Sequence, residues 1–343
     1  GIRLSLPEVQ GSRLNRAEEE RTGMSIPLLF GTYGRPQLPK DVKEYGVNAV
    51  WFHGFNESFF ALGDELGVES CVEFKTFRAD FAKRPELIPI GIDGKPIRYG
   101  QLVQGICLSQ RDYLAETEEH LLEGLKTYKP RGIWLDYLTY GGWFETPEPD
   151  LQESCFCRAC VEDFCQATGV DATTPEHILS AYAEQWKAHK CRKIAGFAQQ
   201  YAAMIKSRQP DCIVGAYMCP WTPEQFDGAL TRIFAQDYAL MAEAIDVFTP
   251  LIYCKKSGEP ARWGREWLNR SAEFVPANRK VQLILDAGDF PDNLTETATP
   301  GVQTWGFQLF AGAPLFAERD KALVFRRAVE AIRENLSVDP SRA

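Results

Sequence analysis

The sequence predicts a (β/α)8 TIM barrel, and two observations lead to that prediction. Eight short apolar runs recur along the chain, and nearly all of them precede a segment with helical periodicity, a pattern typical of parallel β-structure. The length of 343 residues suits a barrel, which commonly takes about 250 residues and more when its loops carry insertions. A doubly wound open sheet is the rival fold. It usually has a glycine-rich turn after its first strand, which the segment Gly31–Gly34 matches poorly.

The predicted strands and helices alternate in the order that a barrel requires. Strands are predicted over residues 27–33, 48–53, 70–74, 132–136, 212–217, 247–253, 281–286 and 306–310. Helices are predicted over residues 38–45, 57–66, 112–128, 174–208, 226–244, 260–274 and 322–336. Thr174, followed by Pro175, is expected to cap the fourth of these segments, which forms one or two helices.

The chain divides into three segments. Residues 1–23 are polar and charged and are interpreted as an N-terminal arm, residues 24–337 as a single barrel domain, and residues 338–343 as a C-terminal tail. The loops after the third and fourth strands are long, and we expect them to be insertions at the C-terminal face of the barrel.

Composition excludes several classes of protein. The content of 45% hydrophobic and 25% charged residues is ordinary for a soluble globular chain. A net charge of −9 argues against nucleic acid as the main partner. No run of about 18 apolar residues is present to span a membrane. The chain begins at Gly1 without an apolar signal core, which is compatible with a cytoplasmic protein or with an exported protein whose signal was removed. Assembly into a homo-oligomer stays open.

Polar residues stand at the predicted strand ends, where barrel enzymes carry their active sites. These residues are Tyr33, His53, Glu73, Asp136, Tyr217, Tyr253, Asp286 and Gln308. Asp136 ends the clearest strand, so we predict it to be the catalytic carboxylate, with Asp286 as its partner and Glu73 in reserve. The sequence does not decide which carboxylate is the acid and which the nucleophile or base.

Each of these carboxylates also has a structural explanation. Asp136 could pair with an arginine or a backbone N–H, and Asp286 could cap its own loop. Glu73 could pair with Lys75 or Arg78. The catalytic assignment therefore depends on where the fold places the three side chains.

Aromatic residues near the carboxylates indicate a carbohydrate substrate. A glycosidic bond needs one acid to protonate the leaving oxygen and one carboxylate to attack or to activate water, and aromatic faces pack on pyranose rings. Beyond the strand ends, the candidate substrate contacts are Tyr137, Trp143, Trp221 and Asp289. We therefore predict a glycoside hydrolase-like enzyme with paired carboxylates at the C-terminal face.

Three cysteines with close spacing predict a metal site. Cys155, Cys157 and Cys160 form a C-x-C-x2-C run, and thiolates at this spacing can converge on one tetrahedral zinc ion. The fourth ligand is either Cys165, which is close in sequence, or Cys107, which precedes the helix leading into the fourth strand. Free or disulfide-bonded cysteines are the alternative. No organic cofactor is predicted.

Part of the chain resembles a group of hypothetical glycosyl hydrolases with barrel folds. The resemblance covers roughly residues 27–315 and is strongest over 105–165. The residues that carry it are the segment Trp134–Tyr137, Trp143, Glu145, the C-F-C-x-x-C run at 155–160, Phe164 and the segment Cys107–Tyr113. The cysteine run is also similar to the structural zinc cluster of family 42 β-galactosidases, where an earlier cysteine completes the site. That similarity implies Cys107 as the fourth ligand.

The chain departs from both enzyme families that it resembles. Family 42 β-galactosidases end their fourth strand on Asn-Glu, whereas this chain ends it on Leu135-Asp136, so the acid of that family does not carry over. Asp136-Tyr137 resembles the fourth-strand nucleophile of α-galactosidase-type barrels, but their acid lies on the sixth strand, which here ends in Tyr253. Two other functions stay open: a catalytically silent carbohydrate-binding barrel, and a sugar lyase or isomerase using His53 and a carboxylate.

Overall fold

The computed structural model of the chain describes residues 26–34, 37–97 and 105–338. Its strands are β1 (Leu29–Tyr33), β2 (Ala49–His53), β3 (Glu69–Lys75), β4 (Gly132–Asp136), β5 (Ile213–Met218), β6 (Val247–Ile252), β7 (Lys280–Val281), β8 (Leu283–Asp286) and β9 (Gly306–Phe310). The short strands β7 and β8 are the two halves of the seventh barrel strand, which is interrupted at Gln282.

The strands close into a parallel barrel. Strand β1 pairs with β2 on one side and with β9 on the other, β5 pairs with β6, and both β7 and β8 pair with β6. All of these pairings are parallel, so the predicted (β/α)8 barrel is confirmed. The carboxyl ends of all eight barrel strands meet at one face, which is where the strand-end residues lie.

Two tryptophans fill the centre of the barrel below that face. The rings of Trp51 and Trp134 meet edge to face with centroids 5.4 Å apart, and the Trp134 indole N–H donates to Thr249 Oγ1 at 2.8 Å. Two glycines make room for the indole ring of Trp134. A Cβ at Gly215 would lie 2.4 Å from Trp134 Cε2, and one at Gly132 would lie 2.5 Å from Trp134 Cζ3. The packed interior gives the site a rigid floor.

Eleven α-helices connect the strands of the described residues. They are α1 (Glu57–Leu66), α2 (Arg111–Thr127), α3 (Arg158–Thr168), α4 (Pro175–Ala181), α5 (Ala183–Arg208), α6 (Gln225–Arg232), α7 (Tyr238–Met241), α8 (Cys254–Ser257), α9 (Trp263–Ser271), α10 (Asp292–Thr297) and α11 (Arg319–Val338). Within the described part of the chain, none of them combines the length and the apolar character needed to cross a bilayer.

The helical predictions hold for most segments and fail in two. Thr174 caps α4, because its Oγ1 accepts a hydrogen bond from the His177 N–H at 3.2 Å. The segment 38–45 forms only a 3-10 turn, Val42–Tyr45. The single helix predicted over 226–244 is wrong: φ is positive at Phe226, Asp227 and Gly228, which a right-handed helix cannot accommodate, and the segment divides into α6 and α7.

The chain ends lie mostly outside the described residues. The predicted arm, residues 1–23, is not described, nor are residues 339–343 of the predicted tail. Helix α11 runs through Val338, the first residue assigned to that tail.

The loops after β3 and β4 are long and pack against each other. The Phe156 N–H donates to the Ile90 carbonyl at 2.8 Å, which ties the second loop to the first. Gly105 has a φ of 80° and lies so close to the second loop that a Cβ there would come within 2.5 Å of the Gly141 nitrogen. The two insertions therefore form one layer over the mouth of the barrel.

A buried ion pair anchors the β4 loop to helix α5. Lys190 is fully buried, and its Nζ donates to Glu153 Oε2 at 2.8 Å and to the Arg232 carbonyl at 2.5 Å. The same ammonium lies 5.5 Å from the ring centroid of Tyr140 and 5.7 Å from that of Trp186. Its charge is thus compensated on several sides, as a buried lysine requires.

We expect the Lys190→Met variant to lose about 3 kcal/mol of unfolding free energy, because the buried Glu153 carboxylate is left with only the longer contact, 3.5 Å, to Arg232 Nη1. Chemical denaturation measures the loss, and the double variant Lys190→Met/Glu153→Gln should recover much of it. Lys187→Met is the matched control on the same helix: its pair with exposed Glu184 is worth ~0–1 kcal/mol. Equal losses in Lys190→Met and Lys187→Met would contradict this account.

Candidate active site and metal centre

Three adjoining clefts cross the mouth of the barrel. Their volumes are about 210 Å³, 260 Å³ and 350 Å³. The first and second clefts share Tyr33 and Phe310, and the second and third share His53. Two carboxyl groups and seven aromatic side chains line the first cleft: Asp136, Glu145, Tyr33, Tyr137, Trp143, Phe144, Tyr217, Tyr253 and Phe310. Aromatic walls with convergent acids are the features of a small-molecule site.

Two of the predicted carboxylates, Asp136 and Glu73, form a pair. In the parallel register Glu73 lies opposite Trp134, and Asp136 lies opposite Lys75 two positions further along, so both acids project toward the mouth of the barrel. Glu73 is buried, and its Oε2 lies 2.8 Å from His53 Nδ1. Its other oxygen, Oε1, is also buried and has no hydrogen-bond partner among the described residues, and the neighbouring Asp136 carboxyl is close enough to interact with it when protonated.

The pair is arranged to hold one proton, on Asp136. Burial raises the pKa of Asp136 well above its usual range, and the charge and hydrogen bond of Glu73 raise it further. Burial also acts to raise the pKa of Glu73, but hydrogen bonds from His53 and Asp136 outweigh it and leave that pKa lowered. The two shifts have opposite signs, so when the pair holds one proton, Asp136 carries it and Glu73 is ionised.

Tyrosine hydroxyls surround this pair. Tyr33 Oη lies 3.3 Å from His53 Nδ1, and burial together with the charges of Glu73 and Asp136 raises the pKa of Tyr33. Burial likewise raises the pKa of Tyr217, whose hydroxyl donates to Gln308 Oε1 at 2.6 Å. These hydroxyls stay protonated and act as hydrogen-bond donors.

Gln308 lies in the barrel interior. Its side chain is fully buried, and its Nε2 donates to Gln282 Oε1 at 3.0 Å, while Gln282 Nε2 donates to the Leu29 carbonyl at 3.0 Å. This chain of amides orients Tyr217 from below. The predicted contact of Gln308 with substrate stays a prediction.

Asp286 is engaged by its own loop and by a lysine. Its Oδ1 accepts the Gly288 N–H at 2.8 Å, and its Oδ2 lies 2.9 Å from Lys256 Nζ. The Lys256 ammonium lies 4.6 Å from the ring centroids of both Tyr253 and Phe310. Asp286 therefore caps the turn that follows β8 and positions Lys256, and it does not line the three clefts.

Glu145 is the acid that the sequence analysis did not single out as catalytic. It lines the first cleft together with Asp136, and its Oε2 lies 4.0 Å from Lys256 Nζ. Burial raises the pKa of Glu145, and the Lys256 charge acts in the opposite direction. The sequence feature that could have identified Glu145 is its position close to Trp143, in the aromatic loop that carries the family resemblance.

The remaining predicted contacts divide into two groups. Tyr137 and Trp143 line the first cleft. Trp221 is buried with its ring centroid 4.1 Å from that of Phe226, and Asp289 is buried with its Oδ1 accepting the Lys255 N–H at 3.2 Å. Neither Trp221 nor Asp289 lines one of the three clefts.

Four cysteines converge beside the β4 loop. The sulfurs of Cys107, Cys155, Cys157 and Cys160 all lie within 4.8 Å of one another, and the Cys107 sulfur is 3.6 Å from that of Cys157 and 3.7 Å from that of Cys160. A tetrahedral ion with Zn–S bonds of ~2.3 Å places its sulfurs ~3.8 Å apart, so the geometry fits. Cys165 is directed elsewhere, since its thiol donates to the Ala172 carbonyl at 3.1 Å.

Comparison with known proteins gives structural neighbours only. No protein-family model matches the chain, and no curated protein matches its sequence. The glycoside hydrolase domain of PgaB (BpsB) from Bordetella bronchiseptica superposes with a TM-score of 0.66 at 12% identity, over 91% of this chain and 100% of that one. A β-galactosidase from the Antarctic haloarchaeon Halorubrum lacusprofundi has a TM-score of 0.59 at 13% identity, over 92% of this chain and 58% of the other.

A third neighbour belongs to the family that the cysteine run resembles. The GH42 β-galactosidase Gan42B from G. stearothermophilus has a TM-score of 0.59 at 11% identity, over 96% of this chain and 55% of the enzyme. The likeness is one of fold. The barrel of this chain superposes on those of glycoside hydrolases, including a GH42 enzyme, and it carries a cluster of four cysteines.

Proposed function

We propose that this chain is a glycoside hydrolase and that Asp136 is its general acid. The observation that carries the proposal is the pair of acids at the mouth of the barrel: Asp136 lines the first cleft, and burial together with the neighbouring Glu73 raises its pKa, while His53 at 2.8 Å lowers the pKa of Glu73. A carboxylic acid kept protonated near neutrality is what protonation of a glycosidic oxygen requires. The glycoside hydrolases among the structural neighbours support the same reaction class.

The second carboxylate of the reaction is proposed to be Glu145. Acid and partner flank the scissile bond at ~5–5.5 Å in retaining enzymes and ~6.5–9.5 Å in inverting ones. Glu73 is buried against His53 and raises the pKa of Asp136, so we assign it the task of maintaining the proton on Asp136 and not that of the partner. Glu145 lines the same cleft as Asp136, and Lys256 favours its ionised form.

The aromatic walls of the first cleft are proposed to bind the sugar ring. Trp143 and Phe310 offer apolar faces, the Tyr33 and Tyr253 hydroxyls can donate to sugar hydroxyls, and the Tyr217 hydroxyl, whose proton is donated to Gln308, can accept from one. This arrangement positions a glycosidic oxygen against Asp136.

We further infer that Cys107, Cys155, Cys157 and Cys160 hold one structural zinc ion. Four thiolates close a tetrahedral site and leave no position open for water, which is the form of a structural site. The Ile90 N–H donates to Cys155 Sγ at 3.2 Å, so the site also bonds the two insertion loops to each other. The ion takes no part in the reaction and fixes the path of the loop that carries Trp143 and Glu145.

A panel of aryl glycosides and polysaccharides tests the proposed activity. Release of reducing ends should appear with at least one substrate, and NMR of the first-formed anomer then reports retention or inversion. Sugars that bind in the first cleft without any cleavage across the panel would contradict hydrolysis and favour the silent carbohydrate-binding barrel.

We expect the Glu73→Gln variant to lose activity selectively at higher pH. Glu73 raises the pKa of Asp136, so removing its charge lowers that pKa and lets Asp136 lose its proton at a lower pH. The alkaline limb of the kcat/KM profile should therefore shift toward acid. A Glu73→Gln profile with an unchanged alkaline limb would contradict the one-proton pair.

A further inference from the structure

The third cleft adjoins the catalytic pair but has no part in the proposed chemistry. With a volume of about 350 Å³ it is the largest of the three, and His53 connects it to the second cleft. Four of its lining side chains are basic: His53, Lys75, Arg78 and His120. A basic cleft is unexpected in a chain with a net charge of −9.

The acidic side chains in this cleft are already engaged. Glu116 pairs with Arg84 at 3.0 Å, and Glu73 is buried against His53. In contrast, neither Lys75 nor Arg78 forms an ion pair with any described residue. The cleft therefore presents to a ligand two cations that form no ion pair, one of which, Lys75, also acts electrostatically on the buried carboxyls of Glu73 and Asp136.

Arg78 is held in place by two aromatic residues. Its guanidinium lies 5.4 Å from the ring centroid of Tyr137, and its carbonyl accepts the Tyr113 hydroxyl at 2.5 Å. Tyr137 itself lines the first cleft, so the Tyr137 ring separates the Arg78 guanidinium from the sugar that this cleft would hold. Lys75 lies opposite Asp136 in the register of β3 and β4, so the two side chains project from the same face of the sheet.

We propose that the third cleft is a subsite for an anionic sugar unit and that the natural substrate is an acidic polysaccharide. The anion is a carboxylate, as in a uronic acid, or a sulfate ester; both match the planar fork of Arg78, with Lys75 adding a second charge. The subsite deepens the proposed function, since the acidic unit neighbours the one bound beside Asp136. Binding of the anion does not itself require hydrolysis.

Calorimetry with matched trisaccharides tests this subsite. The probes are trigalacturonate, its uncharged methyl ester and a sulfated galactose trisaccharide, each titrated into the full chain at low and at high salt. We expect an acidic probe to bind roughly tenfold more tightly than the ester at low salt, and this advantage to shrink as salt rises. Preference between the carboxylate and sulfate probes identifies the anion.

Variants then assign the preference to the two cations. Arg78→Gln and Lys75→Gln should each reduce the charged-to-neutral affinity ratio, and the double variant should abolish it. Lys95→Gln, an exposed lysine in the same insertion with no ion pair among the described residues, is the matched control and should keep the ratio. Imidazole NMR signals of His53 and His120 should shift with the charged probes, since both line the cleft.

Two results would overturn the subsite: equal affinity for the ester and both charged probes, or a preference that survives in the double variant. Failure of the hydrolase proposal looks different. A chain that prefers acidic probes through Arg78 but cleaves no polysaccharide keeps the subsite and loses the activity. A chain that cleaves glycosides without any preference for charged probes keeps the proposed activity and loses the subsite.

Discussion

The Asp136→Asn variant is expected to lose at least ~10²–10⁴-fold in kcat/KM, the range that general acid catalysis contributes. The amide keeps the shape of the side chain but has no acidic proton to give. Binding of the sugar should survive, because the aromatic walls of the first cleft are unchanged. Steady-state kinetics on the best substrate from the panel measures the loss, and Asp171→Asn on the exposed loop before α4 is the control.

The leaving group distinguishes an acid from a nucleophile at this position. An acid matters most when the departing oxygen is poorly stabilised, so the loss in Asp136→Asn should be small for a dinitrophenyl glycoside and large for an unactivated one. A nucleophile is needed for both. An equal loss for both substrates would therefore reassign Asp136, and near-normal turnover for both would remove it from the mechanism.

The barrel was predictable because each strand is recognisable from its own short stretch of sequence. Each strand is buried on both faces and so appears as a short apolar run, and the polar residue that ends it marks the carboxyl face. Asp136 was found in this way, as were Glu73 and Tyr33. The interruption at Gln282 was not predicted; the buried amide there bonds to Gln308 and to the Leu29 carbonyl, which are distant in sequence.

The proposed partner of Asp136, Glu145, was harder to predict because loop paths are set by tertiary contacts. Asp286 ends a strand as clearly as Asp136 does, yet its carboxylate is taken up by Gly288 and Lys256. Glu145 follows no strand. It lines the cleft from a loop whose far end carries the Glu153–Lys190 ion pair and the cysteine cluster, contacts between residues that are distant in sequence.

The second large expected effect is the loss of the proposed zinc ion, because the cysteine cluster lies on the same loop as Glu145. Protein purified without chelator should contain about one zinc per chain, and Cys160→Ser should lose it, because a site of four thiolates tolerates no missing ligand well. Loss of the ion releases the β4 loop between Asp136 and the cysteine run. Activity should then fall by at least about tenfold, since displacement of catalytic groups by even 1 Å is costly, and zinc removal by chelation should reproduce the effect.

Cys165→Ser separates the cluster from the other cysteines. Its thiol donates to the Ala172 carbonyl and lies outside the cluster, so this variant should keep its zinc and its activity. Metal analysis of Cys160→Ser and Cys165→Ser side by side is therefore the decisive measurement. Full zinc content in Cys160→Ser, or disulfides among the four clustered cysteines in the wild type, would contradict a metal site. Zinc loss with unchanged kinetics would instead show that Lys190 and Glu153 alone hold Trp143 and Glu145 in the cleft.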